Sequence, residues 1–267
     1  MANNLALITG ASSGIGRSLA RELAGRSYDL IVCSAGDRLE SVAQELRSPG
    51  VNVVGIQADL ATREGVEKLW KSVKSTGKPL ELACVNAGIG VGGQFWETNL
   101  DEELKMIELN CVGTVHLAKY IVRDMVSRGT GRILITSSIA GEMIAPREAV
   151  YAATKAFDLS FAHSLRYELR DTGVTVTALQ PGPTDTDFFR RAGMENTQMG
   201  TEGKKQNQPD DVARQAIDAL LAGKDHIYAA TSAKTKLEGM IANAVPGGVK
   251  AAMHDNIAKP LDQKKAS

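Results

Sequence analysis

Tyr151 and Lys155 stand four residues apart in Tyr151-Ala152-Ala153-Thr154-Lys155, and Ser138 lies thirteen residues before the tyrosine. On a helix, positions i and i+4 share a face one turn apart, so a phenol and an ammonium would sit together there. A free phenol, with a pKa of about 10, exchanges protons poorly near neutrality. A neighbouring positive charge favours the phenolate and would make Tyr151 a usable general acid/base. Ser138 would hold a carbonyl or alcohol oxygen beside it. These three groups suit the interconversion of a carbonyl and an alcohol. The Tyr–Lys spacing alone is equally that of a solvated helix pair, so the reading depends on its surroundings.

The amino-terminal end supplies such surroundings. Leu5-Ala6-Leu7-Ile8-Thr9 is a short apolar run, as expected of a parallel strand buried on both faces. It leads into Gly10-Ala11-Ser12-Ser13-Gly14-Ile15-Gly16 and then Arg17 to Gly25, where Leu19, Ala20, Leu23 and Ala24 have helical spacing. Strand, glycine turn and helix together form a pyrophosphate site: glycines let the backbone approach, and the helix start presents unpaired N–H groups. The Gly-x-x-x-Gly-x-Gly spacing differs from the Gly-x-Gly-x-x-Gly dinucleotide fingerprint. It also lacks the Gly-Lys-Ser/Thr ending of a P-loop, which disfavours ATP. A glycine-rich turn without a ligand is the plain alternative.

The elements that must position these groups alternate regularly. Strands are predicted at Leu5–Thr9, Asp29–Ser34, Val51–Gln57, Leu82–Asn86, Arg132–Ser137, Val174–Gln180 and His226–Ala229. Helices are predicted at Ile15–Arg26, Arg38–Arg47, Arg63–Ser75, Leu100–Arg128, Ala149–Asp171 and Asp210–Leu221. That alternation predicts an α/β fold, a doubly wound parallel Rossmann sheet of about seven strands with helices on both faces. Right-handed crossovers place the strands' carboxyl ends on one edge, where ligands bind. No linker, repeat or low-complexity tract divides the chain, so one domain is expected over 1–267. Residues 183–209 are polar and glycine-studded, with Phe188, Phe189, Met194 and Met199 embedded, and read as a substrate lid. Residues 230–267 read as a helical tail, interrupted by Pro246-Gly247-Gly248.

Composition narrows the function classes. The 267 residues suffice for a substantial core, and 43% are hydrophobic. Thirty-one basic and 31 acidic residues balance, which predicts no nucleic-acid or anionic-membrane partner. The residues after Met1 lack a charged leader, and no run approaches a membrane span, so a soluble cytoplasmic protein is expected. Cys33, Cys84 and Cys111 lack metal-ligand spacing, and His116, His163, His226 and His254 are scattered. No metal site is therefore expected.

Thr9-Gly10-x-x-x-Gly14-Ile15-Gly16, Asn86-Ala87-Gly88, Asn110, Ser138, Tyr151-x-x-x-Lys155 and Pro181-Gly182 occur in the order and spacing of the short-chain dehydrogenase/reductase family. The resemblance spans residues 5 to 222. It implies that Ser138, Tyr151 and Lys155 are the catalytic trio and that Asn110 helps hold a proton-relay water. It further implies that Gly10, Ser12, Ser13, Gly14, Ile15 and Gly16 cradle the pyrophosphate of a nicotinamide dinucleotide. Asp59 and Leu60 would meet the adenine, and Asn86, Ala87 and Gly88 would flank the adenine-ribose side. Pro181, Gly182 and Thr184 would line the nicotinamide side, and Lys155 and Tyr151 would also touch the cofactor. In the mechanism so implied, hydride passes between the nicotinamide and the substrate carbon while Tyr151 moves the proton. Lys155 lowers the phenol's pKa and bonds the nicotinamide ribose.

Alternatives remain for individual residues. Asn110 is also readable as a polar kink in a long helix, Asp59 as an Asx-turn residue, and Ser137 as the competing hydroxyl. The chain has Val85 where many members have Asn. After His226-Ile227-Tyr228 it continues into Lys234 to Lys259 instead of the Asp-Gly-Gly ending of many tetrameric members. A homo-oligomer, dimer or tetramer, is expected by resemblance, but not through the usual tetramer contact. The tail is an extra helix over the substrate pocket, a dimer contact or a surface appendage. A dinucleotide-binding sensor or scaffold, and an epimerase or dehydratase, are the rival functions. Retention of both Tyr151 and Lys155 argues against the first, and the short carboxy-terminal region against the second.

Cofactor choice turns on the end of the second strand, where NAD-specific relatives carry a carboxylate. Here that position is Ser34, followed by Ala35 and Gly36, so NADP(H) is predicted over NAD(H), with Arg17 and Arg38 as phosphate partners. Asp37 would favour NAD if it lay closer. The expected substrate walls are Ile89, Val91, Phe95, Trp96, Met143, Ile144, Phe188 and Phe189, with Arg147 and Arg190 as the nearby cations. Mostly apolar walls predict a hydrophobic ketone, aldehyde or secondary alcohol.

Overall fold

The computed structural model describes residues 3–47, 50–201, 207–229 and 247–264. Among them, seven parallel strands form one sheet in the order β3-β2-β1-β4-β5-β6-β7. The strands are β1 (Leu5–Thr9), β2 (Asp29–Ser34), β3 (Val53–Gln57), β4 (Leu80–Val85), β5 (Gly131–Thr136), β6 (Val174–Pro181) and β7 (His226–Ala229). The chain winds outward from β1 to β3, then returns to lay β4 beside β1. This reversal opens a crevice at the carboxyl ends of β1 and β4, the place where open α/β sheets bind ligands.

The apolar strands are buried on both faces because helices cover both. Leu5 and Leu7 pack with α3 (Arg63–Ser75), α5 (Thr114–Arg128) and α6 (Ala149–Glu168), through Leu69, Ile121 and Leu165 among others. Ala6 and Ile8, pointing the other way by strand alternation, pack with α1 (Gly14–Gly25), α2 (Leu39–Leu46) and a helix at Pro209–Leu221. Thr62 caps α3 by accepting the Gly65 N–H at 3.0 Å. No helix among the described residues is long and apolar enough to cross a membrane.

The long helix expected over 100–128 is interrupted. Between α4 (Leu100–Ile107) and α5 lies a π-turn, Glu108–Gly113, with Asn110 inside it. Such turns insert a residue into a helix and re-aim its side chains.

In the segment expected as a lid, Phe188–Arg191 forms a short helix, α7, residues 198–201 are again helical, and a further helix, α8, runs from Pro209 to Leu221. Residues 202–206 of that segment lie outside the described residues, as do 230–246 of the tail. The described part of the tail holds helix α9 (Gly247–Ala258). Ala258 is buried against Phe189, Met194 and Met199, and the Leu261 N–H donates to the Asn196 carbonyl at 2.9 Å. The described part of the tail therefore lies over the 188–201 segment.

Candidate active site

Helix α6 carries Tyr151, Thr154, Lys155 and Asp158 on its buried side. Ser138 lies just past the end of β5 on the same cleft as Tyr151, and its Oγ accepts the Ala140 N–H at 3.1 Å. The two serines divide the work: Ser138 faces the phenol, whereas Ser137 Oγ donates to the Lys155 carbonyl at 2.6 Å and pins α6 to the strand end.

Lys155 Nζ donates to the Thr136 carbonyl at 3.0 Å and to Asp158 Oδ2 at 2.9 Å. Lys155 and Asp158 are both buried, so this pair is little screened by solvent. The phenol's pKa is raised, not lowered as the Tyr–Lys spacing suggested. Burial is the largest cause and Glu148 the next; the Ser138 side chain opposes them, and Asp158 adds to the rise. The ammonium is present as expected, but a carboxylate three residues further along the helix offsets its field.

Asn110 is fully buried. Its Nδ2 donates to the Ile89 carbonyl and to Thr154 Oγ1, each at 3.0 Å, and its Oδ1 accepts the Ile89 N–H at 3.0 Å. It sits behind the cleft wall, clamping the chain after β4 to α6. Asn110 thus sits in the π-turn that interrupts the helix and does not line the cleft.

A cleft of about 900 Å3 runs from the glycine loop past Tyr151 to α9. Ser34 lines it, as do Ser138 and every residue that the family resemblance implies for the cofactor. Gly10 has φ +69°, and a Cβ on Gly16 would overlap the Gly10 carbonyl, so the loop requires glycine at both places. No side chain caps α1, which leaves its first-turn N–H groups to an anion. Thr9 Oγ1 accepts the Asn86 and Ala87 N–H groups at 2.9 and 3.0 Å, and Asn86 Nδ2 donates to the Thr9 carbonyl at 3.0 Å. These bonds hold the two banks of the crevice together. Asp59 lines the cleft and makes the Asx-type bond too, its Oδ1 accepting the Ala61 N–H at 3.0 Å. The groove thus fits a dinucleotide: uncapped donors in the middle, a neutral bank at Ser34, and Tyr151 and Lys155 at the far end.

The charges around Ser34 differ from expectation in part. Arg38 lines the cleft, but Arg17 turns away into an ion pair with Glu45. Asp37 accepts from Gln57 Nε2 at 2.9 Å and does not line the cleft. Arg191, missed by sequence reasoning, reaches from α7 to donate to Ser13 Oγ at 2.9 Å and lines the cleft beside the glycine loop.

At the substrate end, Ile89, Met143, Phe188 and Phe189 line the cleft as expected, and the Phe188 ring lies 5.2 Å from that of Tyr151. Val91 packs just behind them. Phe95, Trp96 and Ile144 are exposed and lie outside the cleft. The segment after β4 has no regular structure there, so no periodicity marks which residues point inward. Arg147 pairs with Asp255 at 2.7 Å and Arg190 with Asp187 at 3.1 Å, and neither lines the cleft. Instead, Met199, Met253, Ile257 and a buried Glu148–His254 pair complete the wall.

The sequence matches the family model for short chain dehydrogenase over residues 4–197. The chain belongs to the short-chain dehydrogenase family. Like that family, this dehydrogenase is an NAD(P)-dependent oxidoreductase. It is 33% identical over 236 residues to the 1-deoxy-11-beta-hydroxypentalenate dehydrogenase of Streptomyces exfoliatus, covering 87% of this chain and 85% of that one. It is 33% identical over 227 residues to the glycine betaine reductase of Emericella nidulans, covering 82% of this chain but only 18% of that larger protein's length. Among solved structures, the short-chain dehydrogenase from Sphingobium yanoikuyae in complex with NADPH superposes with a TM-score of 0.80 at 28% identity. That match covers 89% of this chain and 91% of the other.

Proposed function

We propose that this dehydrogenase reduces uncharged, largely apolar ketones or aldehydes with NADPH, with Tyr151 as the general acid. The observation that carries this reading is that Ser138, Tyr151 and Lys155 line one cleft where its apolar end meets the glycine-loop groove. When bound, the dinucleotide supplies the hydride. Ser138 holds the carbonyl oxygen, and Tyr151 gives its proton to the oxygen as it becomes an alkoxide. Burial, with Glu148 next, raises the phenol's pKa, which keeps Tyr151 in its proton-donating form. Lys155 pairs with Asp158 at 2.9 Å, one helical turn from Tyr151. Asn110 positions Ile89 and, through Thr154, the helix that carries Tyr151.

NADPH is favoured over NADH because no carboxylate stands at Ser34 and Arg38 lines that end of the cleft. The NADPH held by the Sphingobium relative agrees with this choice. Residues 183–209 act as the lid, with Phe188 against Tyr151 and Arg191 over the glycine loop. Leu100, Leu104 and Ile107, exposed on one stripe of α4, are the face through which copies associate.

The test is a panel of aliphatic and aromatic ketones incubated with protein and NADPH while the reduced-nicotinamide absorbance is followed. Wild type is expected to consume NADPH. Tyr151→Phe is expected to lose about 10²–10⁴-fold in turnover, with the NADPH dissociation constant nearly unchanged. Equal turnover in the two proteins would refute Tyr151 as the acid.

A further inference from the structure

Asp187 immediately precedes α7, and its carboxylate stands between two guanidinium groups. Arg38 Nη2 lies 3.3 Å from its Oδ2, and Arg190 Nη2 lies 3.1 Å from its Oδ1. Arg38, 149 residues earlier, directly precedes α2 and lines the cleft together with Ser34, Ala35 and Gly36. The Arg38 and Asp187 side chains are 62% and 33% exposed, so both are open to a ligand in the groove. Two further contacts carry the same segment along the groove. Arg191 donates to Ser13 Oγ at 2.9 Å, and a Cβ on Gly14 would meet Thr186 Cγ2 at 3.0 Å. Residues 186–191 therefore adjoin the glycine loop and the turn after β2, as well as Tyr151 through Phe188.

Arg190, and with it Arg38, holds the Asp187 carboxyl below the usual carboxylate range against the opposing effect of burial, so it is charged near neutral pH. A guanidinium binds a phosphate through the same planar fork that it offers a carboxylate, so the two anions contend for it. The position at the end of β2 is Ser34 and carries no charge; the carboxylate that reaches Arg38 comes from the segment expected as a lid. We propose that Asp187 is a cofactor-selectivity residue, which competes with the ribose 2′-phosphate of NADP(H) for Arg38. A ribose 2′-hydroxyl needs no such exchange. Asp187 thus weakens NADPH and leaves NADH untouched, and it narrows the preference that Ser34 and Arg38 alone would give. This inference rests on the assignment of Arg38 to the 2′-phosphate above and deepens it.

The experiment titrates the full chain as wild type, Asp187→Asn, Arg38→Ala and the double variant. Dissociation constants for NADPH and NADH come from nicotinamide fluorescence. Those for adenosine 2′,5′-bisphosphate and AMP come from calorimetry, which needs neither hydride transfer nor a substrate. Asp187→Asn is expected to bind NADPH about two- to fivefold more tightly, the range of an exposed ion pair, with NADH unchanged. The bisphosphate is expected to gain by the same factor and AMP not at all. In the Arg38→Ala background the gain from Asp187→Asn is expected to fall to about one. An unchanged NADPH-to-NADH ratio in Asp187→Asn overturns the proposal. A full gain in the Arg38→Ala background also overturns it, because Asp187 would then repel the phosphate directly. If Asp187→Asn does not fold, Asp187→Ser, which also removes the charge, takes its place with the same outcomes. Arg38→Ala that leaves the ratio unchanged refutes the 2′-phosphate assignment and this proposal with it. Arg38→Ala that weakens NADPH alone, while Asp187→Asn does nothing, overturns only the role of Asp187.

Discussion

Lys155 Nζ lies 2.9 Å from Asp158 Oδ2, three residues along the same helix, with both side chains almost wholly buried. The second oxygen, Asp158 Oδ1, has no hydrogen-bond partner among the described residues, and burial pushes that carboxyl's pKa up while Lys155 pulls it down. The lysine assigned to activating Tyr151 is therefore shared with a carboxylate that acts in the opposite sense.

Asp158→Asn is expected to move the pH profile. The carboxylate raises the Tyr151 pKa, so its removal lowers that pKa. Reduction needs the protonated phenol, and its loss of rate at high pH is expected to begin at lower pH than in wild type. Alcohol oxidation near neutrality is expected to rise by the same logic. Profiles of kcat in both directions check this, and superimposable profiles would show that Asp158 does not tune the phenol.

Breaking the pair from the other side tests stability. Lys155→Met leaves Asp158 buried without its partner and is expected to cost about 3–5 kcal/mol in denaturant unfolding. The double change Lys155→Met with Asp158→Val is expected to recover most of that loss while remaining inactive. A double variant as unstable as the single one would mean that the pair is not what makes the single change costly.

The two arginines at the cofactor groove are expected to separate. Arg38→Ala should weaken NADPH by about tenfold and NADH little, since only the former carries a phosphate near Ser34. Arg191→Ala should weaken both, because Arg191 lies beside the glycine loop where the common pyrophosphate would sit. Fluorescence titration with each cofactor measures the difference.

Leu104→Glu places a charge in the exposed α4 stripe. It is expected to lower the sedimentation mass if that stripe joins copies of the chain, with the thermal midpoint nearly unchanged, because Leu104 is half exposed within one chain. An unaltered oligomer would move the interface elsewhere.

Much of the site was legible because it is local. The glycine turn lies between a strand and a helix that announce themselves by apolar period, and Tyr151 and Lys155 are one helical turn apart. β1, β2, β7 and α3 occupy the ranges predicted for them, since two-sided burial and helix amphipathicity are written in adjacent residues. The π-turn at Asn110 was not readable, because its cause is the bond network to Ile89 and Thr154. Asp158 stood in plain sight at three residues from Lys155, yet its weight depends on burial, which spacing does not report. Phe95 and Trp96 were misplaced because residues without regular structure carry no period. The meeting of Glu148 with His254, 106 residues apart, and of Arg191 with Ser13, 178 residues apart, required the chain to close on itself. The oxidoreductase class is legible in groups that single elements set. Which charges surround the phenol and what lines the far wall of the cleft depend on segments that meet only in the packed chain.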